Sequence, residues 1–117
     1  MIRRLTVITG PASGIVYELE DGQVLVIGRG ADSNTMIDDD RMSRLHCRVI
    51  VDGDLTTVAD AGSSSGTFVA GNKVDEAPLK SGDIIQVGQT QLRYIWGETE
   101  QLANESATIM GDVTPAA

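Results

Sequence analysis

Along nearly the whole stretch from residue 1 to residue 96, apolar side chains recur at every second position, and this constrains the fold more than any other feature of the chain. A period of two sends alternate side chains to opposite faces of an extended strand, whereas a helix needs spacings of three and four. Leu5 and Val7, then Ile15, Tyr17 and Leu19, alternate with polar neighbours, and Val24-Leu25-Val26-Ile27 is a short apolar run stopped by Gly28. The same reading predicts strands over 47–51, 55–59, 67–69, 84–87 and 90–95. Between them stand turn formers: Gly10-Pro11, Asp21-Gly22, Asp52-Gly53-Asp54, Gly71-Asn72, Ser81-Gly82-Asp83 and Gly88. Such punctuation, with no sustained helical period, predicts an all-β sandwich or barrel. Only four residues are aromatic, so the core has to be built mainly from Val, Ile and Leu.

A chain of 117 residues is large enough to bury one apolar core, and one domain is expected over 1–96. From Gly97 onward the residues become small, polar and acidic, which predicts a flexible tail or linker over 97–117 and suggests a piece cut from a longer protein. The formal net charge of −8 argues against general nucleic-acid binding, which needs a broad basic face, and against docking on an anionic membrane. Cys47 is the only cysteine, so an internal disulfide and a cysteine-based metal site are excluded, in keeping with a reducing compartment. There is neither a bilayer-spanning apolar run nor the apolar core of a signal peptide after Met1-Ile2-Arg3-Arg4, so a cytoplasmic location is expected.

Two long loops stand out, residues 30–44 and 60–66. In a small β domain, ordering such loops has an entropic cost, and binding residues concentrate on them. They and the residue before them carry Arg29, Ser43, Arg44, Ser64 and Ser65: guanidinium and hydroxyl donors without a matching cluster of metal ligands. A phosphate offers about −1.5 to −2 charges and three acceptor oxygens, which a bidentate arginine and two or three hydroxyl or N–H donors would saturate. At about 1.5–3 kcal/mol per charge-assisted bond, the phosphate supplies part of the ~8 kcal/mol of micromolar binding, and flanking peptide has to supply the rest. The competing reading is that these arginines neutralise their acidic neighbours: Arg29 through Asp32, and Arg41 through the run Asp38-Asp39-Asp40, itself read as a solvated acidic turn. Gly10-Pro11-Ala12-Ser13-Gly14 lacks the Lys-Ser/Thr of a nucleotide phosphate loop and is read as a hairpin turn, and Cys47 as a packed small hydrophobe.

Four blocks in register carry a resemblance: Gly28-Arg29; Ser43-Arg44-Leu45-His46; Asp60-Ala61-Gly62-Ser63-Ser64-Ser65-Gly66-Thr67-Phe68-Val69-Ala70-Gly71; and Leu79-Lys80-Ser81-Gly82-Asp83-Ile84-Ile85-Gln86-Val87-Gly88. In order and spacing they resemble the forkhead-associated (FHA) domain over residues 5–96. The resemblance implies an eleven-stranded antiparallel β-sandwich with phosphothreonine-binding loops at one end, and a non-catalytic interaction module in Ser/Thr kinase signalling. By position, Arg29 and Ser43 would bond the phosphate, Arg44 would add charge or contact the peptide, and Ser64 would give another hydroxyl. Gly28, His46 and Gly66 would be architectural, His46 bracing the loop that presents Ser43. The family usually has Asn where Ser65 and Ala70 stand; the first meets the peptide backbone and the second ties loops together.

The implied partner is a protein or peptide containing phosphothreonine, including a Ser/Thr kinase or its substrate, with no cofactor, no metal and no nucleic acid. Phosphorylated Thr99 or Thr108 of the chain's own tail is a further candidate ligand, since a short tether raises effective concentration to millimolar. Two other classes stay open. Ser43, His46 and Asp60 are the residue types of a hydrolytic triad, although no nucleophile elbow is present. Ser65 and Ala70 leave room for a scaffold or oligomerisation module that binds without regard to phosphorylation.

Overall fold

The computed structural model describes residues 2–97. All of its regular structure is strand: β1 (Ile2–Thr9), β2 (Val16–Glu18), β3 (Val24–Ile27), β4 (Cys47–Asp52), β5 (Leu55–Asp60), β6 (Thr67–Val69), β7 (Asn72–Val74), β8 (Glu76–Pro78), β9 (Ile84–Val87) and β10 (Thr90–Gly97). Two antiparallel sheets form a sandwich, one ordered β2-β1-β10-β9-β6-β7 and the other β3-β4-β5-β8. Of the sandwich or barrel expected from the apolar period, the sandwich is present, as the family resemblance implies, with ten strands among the described residues where the resemblance implies eleven. Gly97 closes β10, paired with Ile2; the rest of the expected tail, with Thr99 and Thr108, lies outside the described residues.

Strands β7 and β8 escape the period-two reading for a physical reason. Each is three residues long, sits at a sheet edge and is largely exposed, so neither needs an apolar alternation. Pro78 ends β8, a placement open to proline because an edge position demands no ladder N–H. The β6–β7 hairpin turns through Ala70 and Gly71, both left-handed with φ of 51° and 85°, as a two-residue primed turn requires.

Between the sheets lie Leu5, Val7, Ile27, Val49, Val58, Ile85, Val87 and Leu92, each at most 1% exposed. This is the aliphatic core that scarce aromatics demanded, and Tyr94 is its one fully buried large ring. The Tyr94 hydroxyl in β10 meets Thr56 Oγ1 in β5 at 2.7 Å, a buried polar bond joining the two sheets.

Register places the two long loops. Cys47 opposes Asp60, so the segment entering β4 and the segment leaving β5 lie side by side. His46 N donates to Ile27 O and Ala61 N to His46 O, extending the ladder one residue beyond the strands and locking three strand ends together. The β4–β5 turn at Gly53 marks the opposite end of the sandwich. There Arg3 lies 4.4 Å over the Trp96 ring and donates to Gly53 O at 2.7 Å, beside a recess of about 460 Å³.

Candidate functional site

At the loop end, backbone meets backbone at Gly28. A Cβ on this residue would stand 2.0 Å from Arg44 O and 3.1 Å from Leu45 Cα, so only glycine lets the two segments approach. Arg29 N donates to Ser43 O and Gly30 N to Arg44 O, both at 3.0 Å, so residues 29–30 run against residues 43–44. That pairing sets Arg29 and Arg44 next to one another. Arg29 Nε donates to Met42 O at 3.1 Å, which fixes the base of the guanidinium while the residue remains exposed. The Arg44 side chain runs along Gly30, whose absent Cβ would meet its Cβ at 3.0 Å and its Nε at 3.2 Å. Neither Arg29 nor Arg44 has an ion-pair partner among the described residues, so the expected neutralising pair Arg29–Asp32 does not form.

His46 joins the two loops from beneath. It is fully buried; its Nδ1 accepts Ser43 N–H at 3.1 Å, which leaves Nε2 to carry the proton and donate to Gly66 O at 2.8 Å. Gly66 is left-handed, with φ of 91°, and leads directly into β6. One imidazole thus fixes the residue that presents the Ser43 hydroxyl and the turn that follows Ser64 and Ser65. Ser64 N donates to Ser43 Oγ at 3.0 Å, and the two hydroxyls stand 3.4 Å apart. With Oγ accepting from Ser64, the Ser43 hydroxyl proton is directed elsewhere, toward the exposed surface or Ser64 Oγ. Ser65 behaves differently: its hydroxyl donates to Arg41 O at 2.8 Å, tying the two loops together and leaving only lone pairs for an outside group.

The same geometry takes apart the hydrolytic arrangement of Ser43, His46 and Asp60. Both imidazole nitrogens are committed to backbone groups, and the Asp60 carboxylate accepts from Gly62 N, Ser63 N, Ser63 Oγ and Thr67 Oγ1. Partial burial opposes ionisation of Asp60, yet the hydroxyls of Ser63 and Thr67 and two N–H groups outweigh it, holding its pKa below the ordinary carboxylate value. Burial pushes the Cys47 thiol up to about 12, with the Asp60 charge adding to the effect, so the thiol stays protonated.

The acidic run is not a uniform solvated turn. Asp38 and Asp40 are exposed, but Asp39 is 2% exposed and accepts from Arg41 N, Gln89 N and Thr90 Oγ1 at 2.7–2.9 Å. Burial raises its pKa and these bonds more than offset that, leaving it below the ordinary value. It is the Arg41 backbone that serves Asp39; the Arg41 guanidinium has no ion-pair partner among the described residues. Ser33 and Thr35 are further supports that the sequence reading passes over. Ser33 Oγ is shared between Gly28 O and Gly30 O and accepts Met36 N, while Thr35 Oγ1 lies 3.0 Å from both Gly28 N and Gly28 O. A run of short hydroxyl and amide side chains, Ser33-Asn34-Thr35, is the only signal of this strap, and any surface turn shares it.

Among the described residues, what remains open at this end is a set of donors: the guanidinium groups of Arg29, Arg41 and Arg44, none with an ion-pair partner, and the hydroxyls of Ser43 and Ser64 on braced loops, Ser43 half-buried and the others exposed. The model of the FHA domain family matches residues 25–88. The glycogen accumulation regulator GarA of Mycolicibacterium smegmatis is 37% identical over 93 residues, 80% of this chain and 58% of that protein. The oxoglutarate dehydrogenase inhibitor of Corynebacterium jeikeium is 35% identical over 82% of this chain and 66% of its own length. The chain therefore spans less than two thirds of these curated relatives. Among solved structures, one from a study of phosphothreonine-dependent FHA domain interactions superposes with a TM-score of 0.75 at 31% identity, covering 84% of this chain and 99% of that one. The FHA domain of FhaA, complexed with the intracellular domain of Rv3910, gives 0.71 at 33% identity over 79% of this chain and 98% of that one.

Proposed function

This chain belongs to the FHA family, and from that premise we propose that it is a non-catalytic module that binds a phosphothreonine segment of a partner protein through Arg29, Ser43, Arg44 and Ser64. The observation that carries the proposal is the Arg29 guanidinium, which has no ion-pair partner among the described residues and is anchored at Nε by Met42 O beside the Ser43–Ser64 hydroxyl pair. A phosphate dianion would take the outer guanidinium N–H groups of Arg29 and the Ser43 hydroxyl, with Ser64 completing its oxygens and Arg44 adding positive charge. Ser65, already donating to Arg41 O, would serve the peptide as an acceptor of a backbone N–H. In this reading residues 1–96 are the binding domain, residues 97–117 a linker, and the partner a cytoplasmic protein modified by a Ser/Thr kinase.

Phosphothreonine is favoured over phosphoserine if its methyl enters an apolar niche, at ~0.8 kcal/mol or about fourfold, and its β-branched stiffness adds to that. The test is a titration of the purified protein with a degenerate phosphothreonine peptide pool, the same pool dephosphorylated, and a phosphoserine pool. The expected order is phosphothreonine, then phosphoserine several-fold weaker, with no binding after dephosphorylation. Equal binding of the phosphorylated and dephosphorylated pools would overturn the proposal and favour a phosphorylation-independent scaffold.

A further inference from the structure

The outer face of the sheet β3-β4-β5-β8 departs from the polar surface that a half-buried antiparallel sheet normally shows to water. Leu25, Ile27, Val49, Val51 and Val58 turn into the core, so the alternate residues of the same strands face outward. Register sets these in rows across the four strands: Val24, Ile50, Thr57 and Pro78 in one, and Val26, Arg48, Ala59 and Glu76 in the next. Asp52 and Leu55 begin a third. Leu79 N donates to Thr56 O at 2.8 Å, which carries the register one residue past β8 and brings Lys80 beside Leu55. Val24 is 46% exposed and Leu55 54%, so large apolar groups on this face meet solvent. Strand addition at the sheet's edges is hindered, because Asn34 bonds both N and O of Val26 on β3, and Pro78 lies on β8.

The charges on this face are antisymmetric about β5. Counting from the loop end, β4 presents Arg48, Ile50 and Asp52, and at the same levels the β8 side presents Glu76, Pro78 and Lys80. None of the four charged residues has an ion-pair partner among the described residues. We propose that this face binds a second copy of the chain, related by a two-fold axis that runs along β5 in the plane between the two packed sheets. That axis lays β4 of each copy over β8 of the other. Arg48 then faces Glu76, Ile50 faces Pro78 and Asp52 faces Lys80 across the interface, and Leu55 meets its own counterpart on the axis. The interface is self-complementary in charge and neutral in sum, which lets two copies of net charge −8 approach through it. Because the axis is parallel to the strands, both loop ends point the same way. The inference goes beyond the phosphothreonine reading and does not depend on it.

The test is sedimentation equilibrium of the full chain from micromolar to about millimolar concentration. Wild type is expected to rise from the 12.4 kDa of one chain toward twice that mass. Leu55→Lys sets two like charges together on the axis and is expected to stay at the single-chain mass throughout. Leu55 is exposed, so this variant keeps the wild-type melting temperature in dilute solution, which separates lost association from lost folding. Arg48→Glu and Glu76→Arg each oppose like charges twice across the interface and are expected to weaken the dimer by about tenfold or more. Combining the two exchanges is expected to return the affinity to within about threefold of wild type. A wild type that is monomeric at every concentration would overturn the proposal and leave the face to another protein or to residues 98–117 of the same chain. A dimer that survives Leu55→Lys, or a double exchange no tighter than either single one, would overturn it as well.

Discussion

Gly28 carries the sharpest steric demand in the site, because the nearest atom to a Cβ there is a backbone oxygen that already accepts Gly30 N–H. Gly28→Ala is therefore expected to destabilise the fold by at least about 1–3 kcal/mol, read as a lower urea midpoint at unchanged slope. Arg29, Ser43 and Ser64 were legible as candidates because donor-rich residues gathered in two long loops have few other uses. The roles of Asp39 and Ser65 were not. Three consecutive aspartates look alike until tertiary structure buries the middle one against Gln89 and Thr90. Ser65 looked like a free donor, and its loop geometry instead turns the hydroxyl onto Arg41 O, where it does the loop-tying the family assigns to an asparagine elsewhere.

At the scale of elements, the long strands were legible and the short edges were not. Alternation over β1, β4, β5 and β10 reflects one face buried in the sandwich, and β7 and β8 have no such face to reveal them. The β6–β7 turn shows what the sequence gives up there. Ala70 holds φ of 51° without the local side-chain hydrogen bonding or the freedom from a Cβ that makes this conformation tolerable. Ala70→Asn supplies the preferred residue of an Asn-Gly primed turn and is expected to stabilise the protein by about 0.5–1 kcal/mol, seen as a higher melting temperature. An unchanged or lower melting temperature would show that the turn is not under strain.

For the whole molecule, the site and the fold share carboxylates. Asp39 and Asp60 both have pKa values below their ordinary ones in the folded state, so the unfolded chain binds their protons more readily. Their contribution to stability is complete above the unfolded value of about 3.9 and is lost as the pH falls through the folded values. Unfolding free energy is therefore expected to rise with pH up to about pH 5 and then level off as far as these groups are concerned. Asp39→Asn flattens the acid limb; a limb as steep as in wild type would show that Asp39 is not one of its sources. The net charge of −8 repels polyanions at long range, and under the proposed function added salt is expected to weaken the short-range contact of Arg29 to a single phosphate. The most direct measurement is calorimetric titration of wild type and Arg29→Ala with one phosphothreonine peptide at fixed ionic strength. A saturable one-to-one isotherm for wild type, lost or weakened by more than tenfold in a folded Arg29→Ala protein, is the predicted result; undiminished binding by that variant would contradict the account.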